Sequence, residues 1–266
     1  QTIAPKLTEK KLLIHEQQQN PDWQPPSAYD SGPFQELADR ESEEWNVATT
    51  VVCGSEFVKN EVVSCGGPAQ KCIVVPYGAQ LPNVITQRSD GTPRTLNRPL
   101  RVLTVGAVEL RKGSHYVLEV AKALKGTADF RMVGSVCVSE NRASELSQSL
   151  DLAGVVPRST VHEHFEWADI FFLPSVCEGS ATVTYEAFNA GLPVICTPNT
   201  GSVVEDGVSG YLVPHGDTEI MSDRIAGLAR NRDLLHSLSE GALQRAKHCT
   251  VAAYGERLLQ CLRTSE

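Results

Sequence analysis

The sequence has no apolar run near the ~20 residues that a membrane-spanning helix needs. Its best apolar stretches, such as residues 170–176, have the length of buried strands. Its first residues lack the basic-then-apolar pattern of a secretion signal, and it begins at Gln1 rather than methionine, so a processed or partial chain is expected. Basic residues are in the minority, with 24 Lys and Arg against 32 Asp and Glu and a formal charge of −8. Sequence-independent nucleic-acid binding rests on clustered cations, which makes so acidic a chain a poor candidate for it. No two of the cysteines (53, 65, 72, 137, 177, 196, 249 and 261) form a CxxC pair. They read as reduced thiols rather than disulfides or a zinc site, and the expected location is cytoplasmic. There is no solenoid-type repeat. What is present is a globular composition, 41% hydrophobic and 21% charged, over 266 residues, enough for about two domains.

Along the chain, residues 7–19 are rich in helix formers and predict a helix. Residues 20–33 hold four prolines and predict a loop. Residues 34–48 predict a second helix, 49–55 (TTVVCGS) a short β-branched strand, 56–67 a helix stopped by glycines, and 71–78 (KCIVVPYG) another strand. Residues 86–99 have linker composition. Beyond them β–α alternation becomes regular. Strands are expected at 101–106, 129–134, 152–156, 169–174 and 192–197, with helices at 114–124, 140–150, 160–167 and from the 179–181 region through Glu186. From Thr218 onward the chain reads as nearly all helix. Continuous apolar strands separated by helices imply a parallel sheet covered on both faces, wound right-handed into a doubly wound, Rossmann-like α/β domain.

Ligands of such sheets bind at the carboxyl ends of the strands. After strand 101–106 comes AVELRKG with Arg111 and Lys112; after 169–174 comes SVCEGSATVTYEA with Glu178 and Glu186; after 192–197 comes PNTGS. Gly179, Ser180 and Ala181 are small enough for close backbone approach, and a helix starting there offers N–H groups and a positive dipole end to a diphosphate. Glu178 and Glu186 would lie roughly 12 Å apart if the segment were helical throughout, the span of a nucleotide-sugar. Ionised carboxylates accept hydrogen bonds from paired hydroxyls, so Glu178 suits the sugar and Glu186 the ribose. Lys112 suits the departing diphosphate.

The segment EGSATVTYEAFNAGLPVICT resembles the E-x7-E signature of family-4 glycosyltransferases. RVLTVGAVELRKG, WADIFFLPS and GSVVEDGVSGYLVPHGD resemble that family's other donor-side segments, in the same order. EEWNVATTVVCGSEFV and KCIVVPYGA resemble the end of its acceptor-side domain. The resemblance implies a GT-B fold: residues 1–98 a partial N-terminal Rossmann-like domain and linker, 99–248 the nucleotide-sugar-binding domain, and 249–266 a crossover helix. It implies a retaining transferase with Lys112 and Glu178 at the chemistry. Donor contacts are implied from Gly106, Arg111, Val156 (by the nucleobase), Gly179, Ser180, Ala181, Thr182, Val183, Glu186, Gly201 and Ser202. Neither metal nor cofactor is expected beyond the donor, and the acceptor is a glycan, a lipid or a small molecule, with peripheral membrane contact open. Two departures stand out. Many members carry arginine where this chain has Ala107, and only about 98 residues precede the donor domain, so a shortened enzyme that can be inactive alone is expected. The alternatives are a non-catalytic nucleotide-sugar-binding module and a GT-B-fold nucleotide-sugar epimerase.

Other residues read as structural. His162 and His164, two apart on a helix, point away from each other and suit no shared metal. Cys177, with no histidine near it in sequence, reads as a buried thiol.

Overall fold

The computed structural model describes residues 4–25, 32–79 and 98–263. The first part runs α1 (Lys6–Gln19), α2 (Gly32–Val47), β1 (Val51–Cys53), α3 (Glu56–Ser64) and β2 (Cys72–Val74). β1 and β2 pair in parallel, Val52 beside Ile73. The second part runs β3 (Leu100–Val105), α4 (Ser114–Ala123), β4 (Ala128–Val133), α5 (Glu140–Ser149), β5 (Asp151–Gly154), α6 (Val161–Trp167), β6 (Ile170–Leu173), α7 (Val183–Asn189), β7 (Val194–Cys196), β8 (Gly210–Leu212), α8 (Thr218–Arg230), α9 (Arg232–Ala246) and α10 (Val251–Arg263).

Strands β3 to β8 form one parallel sheet in the order β5-β4-β3-β6-β7-β8. This is the doubly wound order: the strand order runs outward in opposite directions from the parallel pair β3 and β6, in which Val102 lies beside Ile170. Side chains alternate strictly. Val102, Phe130, Met132, Ile170, Phe172 and Ile195 belong to one core, with Val117 of α4 and Met221, Ile225 and Leu228 of α8. Leu103, Phe171, Leu173, Val194 and Cys196 belong to the other, with Phe165 of α6, Tyr185 and Phe188 of α7, and Ala242 and Ala246 of α9. Both faces are covered, which is why the central strands β6 (IFFL) and β7 (VIC) are apolar at every position rather than every second one. Each buried aliphatic or aromatic side chain contributes about 1.5–3 kcal/mol.

Two expectations need correction. The sheet has a sixth strand, β8, unread in the sequence because three residues that begin with Gly210 make no apolar run. The helix after β6 begins at Val183, not in the 179–181 region. The reading of 86–99 as linker falls mostly on residues outside those described. At its end, Arg98 donates twice to the fully buried Asp169, at 2.6 and 2.9 Å, and fixes the entry to β3.

Two segments tie the parts together. On α10, Cys261, Tyr254 and Leu258 pack on Val52 and Ile73 of the two-stranded sheet and on Val75 just after it. At the other end of the chain, Leu13 of α1 and Trp23 enter the core of the six-stranded part. Buried Glu16 of α1 accepts from Tyr116 Oη at 2.7 Å and lies 2.8 Å from His115 Nε2, both on α4.

Candidate functional site

The carboxyl ends of β3, β6 and β7 continue into three loops that are stitched to one another. Val176 N–H donates to Arg111 O at 2.8 Å, joining the second loop to the first. Asn199 Nδ2 donates to Val176 O at 2.9 Å, Glu178 N–H to Asn199 O at 2.9 Å and Ala181 N–H to Thr200 O at 3.2 Å, joining the third. Buried hydroxyls lock the turns: Thr197 Oγ1 donates to Ser175 O at 2.6 Å and Thr200 Oγ1 to Leu173 O at 3.0 Å. Backbone groups that would otherwise be orphaned at the strand ends are thereby satisfied.

At the switch point between β3 and β6 the charges converge. Lys112 Nζ lies 2.6 Å and Arg111 Nη1 2.7 Å from the same oxygen, Oε1 of Glu178. Arg111 Nη2 lies 2.9 Å from Glu109 Oε1. The Lys112 and Glu178 side chains are only 13% and 12% exposed, so the pair is held in a low-dielectric setting where charge interactions are strong. Burial opposes the charge on Arg111, but the carboxylates of Glu178 and Glu109 outweigh it and hold its pKa above the ordinary value. Gly106 opens the space: its φ is +146°, and a Cβ there would stand 3.3 Å from Cε of Lys112. The lysine stem therefore lies over bare backbone at the strand end.

The segment from Gly179 to Thr182 is irregular, so the 12 Å separation of Glu178 and Glu186 expected for a continuous helix does not apply. The amides of Thr184 and Tyr185 are bonded to Ala181 O and Thr182 O, which leaves fewer first-turn donors to a ligand than a helix starting at 179 would. Ser180 is buried, its hydroxyl 2.6 Å from Tyr185 Oη, and Ala181 is buried beside it. Thr182 is exposed, Val183 half-buried. Glu186 is half-buried; burial pushes its carboxyl above the usual range, with Arg158 partly offsetting the shift. Val156 packs at the rim of the same core as Val183. Gly201 (φ +63°) is buried against Gly179 O, and Ser202 Oγ lies 3.3 Å from Thr184 Oγ1. Burial pushes the Cys177 thiol up to about 12, which leaves it protonated and inert near neutrality.

The structure thus brings Arg111 and Lys112 onto Glu178, sets Gly106 beside the Lys112 stem, and links Gly179 to Gly201 and Thr184 to Ser202. Sequence reasoning missed Glu109, Arg158 and Asn199. All three stand in segments already singled out: Glu109 two residues before Arg111, Arg158 two after Val156, and Asn199 in PNTGS, so charge was the available signal for the first two and loop position for the third. Among the described residues, no group of three or more His, Cys, Asp or Glu is placed to hold a metal ion, and no helix is long and apolar enough to cross a membrane.

Comparison with known proteins gives this geometry a family. The family model described as glycosyl transferases group 1 matches residues 99–231, half of the chain and most of the six-stranded part. The chain is 28% identical over 222 residues to the putative colanic acid biosynthesis glycosyltransferase WcaL of Salmonella typhimurium, covering 77% of this chain and 53% of the relative. It is 27% identical over 184 residues to the amylovoran biosynthesis glycosyltransferase AmsK of Erwinia amylovora, covering 63% and 44%. It therefore spans about half the length of these curated relatives. The crystal structure of Anabaena HepE in complex with UDP-glucose superposes with a TM-score of 0.72 at 17% identity, covering 86% of this chain and 68% of that one. At that identity the likeness establishes the fold alone, a GT-B-like α/β fold built on a parallel sheet. A doubly wound sheet with a Lys–Arg–Glu cluster at its switch point, matched by this family model across half its length, places the chain in the group 1 glycosyl transferases.

Proposed function

We propose that this chain carries the donor-binding half of a retaining glycosyltransferase that uses a nucleoside-diphosphate sugar. The observation that carries the reading is the convergence of Lys112 and Arg111 on one oxygen of Glu178 at the switch point. Two cations held by one carboxylate form a site primed for exchange. An entering diphosphate takes the cations, and Glu178, released from them, accepts hydrogen bonds from the sugar hydroxyls. Glu186, eight residues on in sequence, faces the ribose, with Val156 near the base. The binding of UDP-glucose by the structurally similar HepE supports a uridine nucleotide as the first donor to try.

In the proposed reaction the acceptor hydroxyl attacks the anomeric carbon from the face that the diphosphate leaves. The C–O bond to the diphosphate breaks as the new glycosidic bond forms, and the leaving oxygen takes the acceptor's proton. The positive charge of Lys112 and Arg111 stabilises the developing diphosphate, so no metal is needed. With the Cys177 thiol held protonated, a covalent route through it is disfavoured. Relatives named for colanic acid and amylovoran biosynthesis point to a glycan acceptor. Residues 99–248 act as the donor unit, residues 1–98 as the acceptor-side part, and 249–266 as the crossover helix. The packing of α10 on β1 and β2 supports the last assignment.

A second reading is binding without turnover, as a module, which Ala107 in place of the arginine of many members favours. Incubation with UDP-sugars, followed by NMR of the anomeric proton, decides between them. Free or transferred sugar that is first released with the donor's own configuration supports the retaining enzyme. Saturable binding with no product supports the module, and neither binding nor product rejects the donor site.

A further inference from the structure

Ser55 stands outside the cluster yet touches it. It follows β1 and belongs to the two-stranded part, not to the six-stranded one. Its side chain is buried, and its Oγ donates to Gly179 O at 2.7 Å, the carbonyl directly after Glu178. The same oxygen accepts from Val58 N–H at 3.2 Å and so caps α3. Gly201, on the third site loop, lies against both groups: a Cβ there would stand 2.4 Å from Gly179 O and 2.8 Å from Ser55 Oγ. One hydroxyl thus sits where a helix N-terminus of one part meets two ligand loops of the other.

We propose that Ser55 is a positioning residue that transmits the placement of the two-stranded part to Glu178 by holding the Gly179 carbonyl. The proposal rests on the donor-site reading for its functional half. The carbonyl of Gly179 stands at the start of the irregular segment 179–182, with no helix to fix its rotation. That carbonyl lies one peptide unit beyond Glu178, so a shift of the Gly179–Ser180 peptide reaches the Glu178 side chain through the flexible Gly179 backbone and displaces it from the place of the sugar hydroxyls. Acceptance from Val58 orients the hydroxyl so that its single proton points to Gly179, which makes the two bonds mutually dependent. The sugar end of the donor is therefore sensed through Ser55, while the diphosphate and ribose ends, held by Lys112, Arg111 and Glu186, are not.

The test separates the cap from the hydrogen bond to Gly179. Glycine at an N-cap keeps most of the capping stability, whereas alanine does not, and neither can donate to Gly179. Ser55→Gly and Ser55→Ala are expected to weaken UDP-glucose binding alike, by roughly 2- to 12-fold, the worth of one neutral hydrogen bond. UDP binding should change by less than about 2-fold, and only Ser55→Ala should lower the unfolding midpoint appreciably. A general packing defect would weaken both ligands together, and that result overturns the proposal. The hydrogen bond is also read without ligand, by hydrogen exchange at the amides of Glu178 and Ala181, which bond to the third loop. Ser55→Gly is expected to speed their exchange while α3 stays protected; unchanged exchange overturns the proposal. Faster exchange in a protein whose wild type binds neither nucleotide supports the role of Ser55 in holding Gly179 and overturns the donor-site reading instead.

Discussion

Replacing Glu178 by glutamine separates its two tasks, and the structure predicts opposite signs for two ligands. In the free protein its Oε1 occupies both Lys112 and Arg111, at 2.6 and 2.7 Å. A bare nucleoside diphosphate must displace that carboxylate before it meets the cations. A hydrogen bond to a charged group is worth about 1.5–3 kcal/mol, and part of it returns when the diphosphate takes the carboxylate's place. Glutamine keeps the shape and removes the charge, so Glu178→Gln should bind UDP as tightly as wild type or up to about 10-fold more tightly, about 1.4 kcal/mol. The nucleotide-sugar behaves differently, because the wild-type carboxylate exchanges its two cations for the sugar hydroxyls. Its affinity should fall, so that the ratio of the two dissociation constants shifts by at least about 10-fold. Isothermal titration calorimetry with UDP and UDP-glucose measures both. Equal weakening for the two ligands would refute the exchange of partners.

Glu186 carries a pH signature: burial raises its carboxyl above 4.5, so protonation begins at higher pH than for a free carboxylate. UDP affinity should fall as pH drops through that raised value, and Glu186→Gln should remove this component, measured as the difference between the two pH profiles. Its contribution to stability has the reverse sense: present below 4.5 and lost as pH rises through the folded value. Glu16→Ala should destabilise the fold by about 3 kcal/mol in urea unfolding, because Tyr116 and His115 lose a buried charged partner. Burial raises the pKa of Glu16, but its bonds to His115 and Tyr116 and the nearby histidine charges outweigh this and hold it below 4.5. The stability it adds is therefore present above 4.5 and lost as pH falls through its lowered folded value. Gly201→Ala forces a Cβ to 2.4 Å from Gly179 O in a left-handed backbone. It should cost at least about 1–2 kcal/mol and reduce binding of both nucleotides; wild-type affinity and midpoint would contradict the stitched-loop geometry.

The six-stranded part was legible because its strands are apolar on both faces: IFFL at 170–173 and LTV at 103–105 leave no choice but a covered parallel sheet. The site loops were legible because glycine, cation and carboxylate each follow a strand end. β8 was hidden, since Gly-Tyr-Leu carries no periodicity and pairs only because β7 offers an edge. The late start of α7 was hidden too: Ser180 and Ala181 have no strong preference against a helix, and it is their bonds to Tyr185 and Thr200 that hold them out of it. α1 reads as a polar helix, with three consecutive glutamines at 17–19, and nothing in that pattern tells that Glu16 is its buried anchor. The partners of Glu16 lie about a hundred residues away, a distance at which sequence pattern carries no signal. Ser55 escaped for the same reason: its capping role is local, but its second bond spans 124 residues.

The central claim is that this cluster binds a nucleoside diphosphate through Lys112. Calorimetric titration of UDP, GDP and ADP into wild type and Lys112→Ala tests it most directly. Removing one charge-assisted hydrogen bond should raise the dissociation constant of the best ligand by roughly 10- to 150-fold, with the fold intact by circular dichroism. An unchanged constant, or no binding of any of the three by the wild type, would contradict the account.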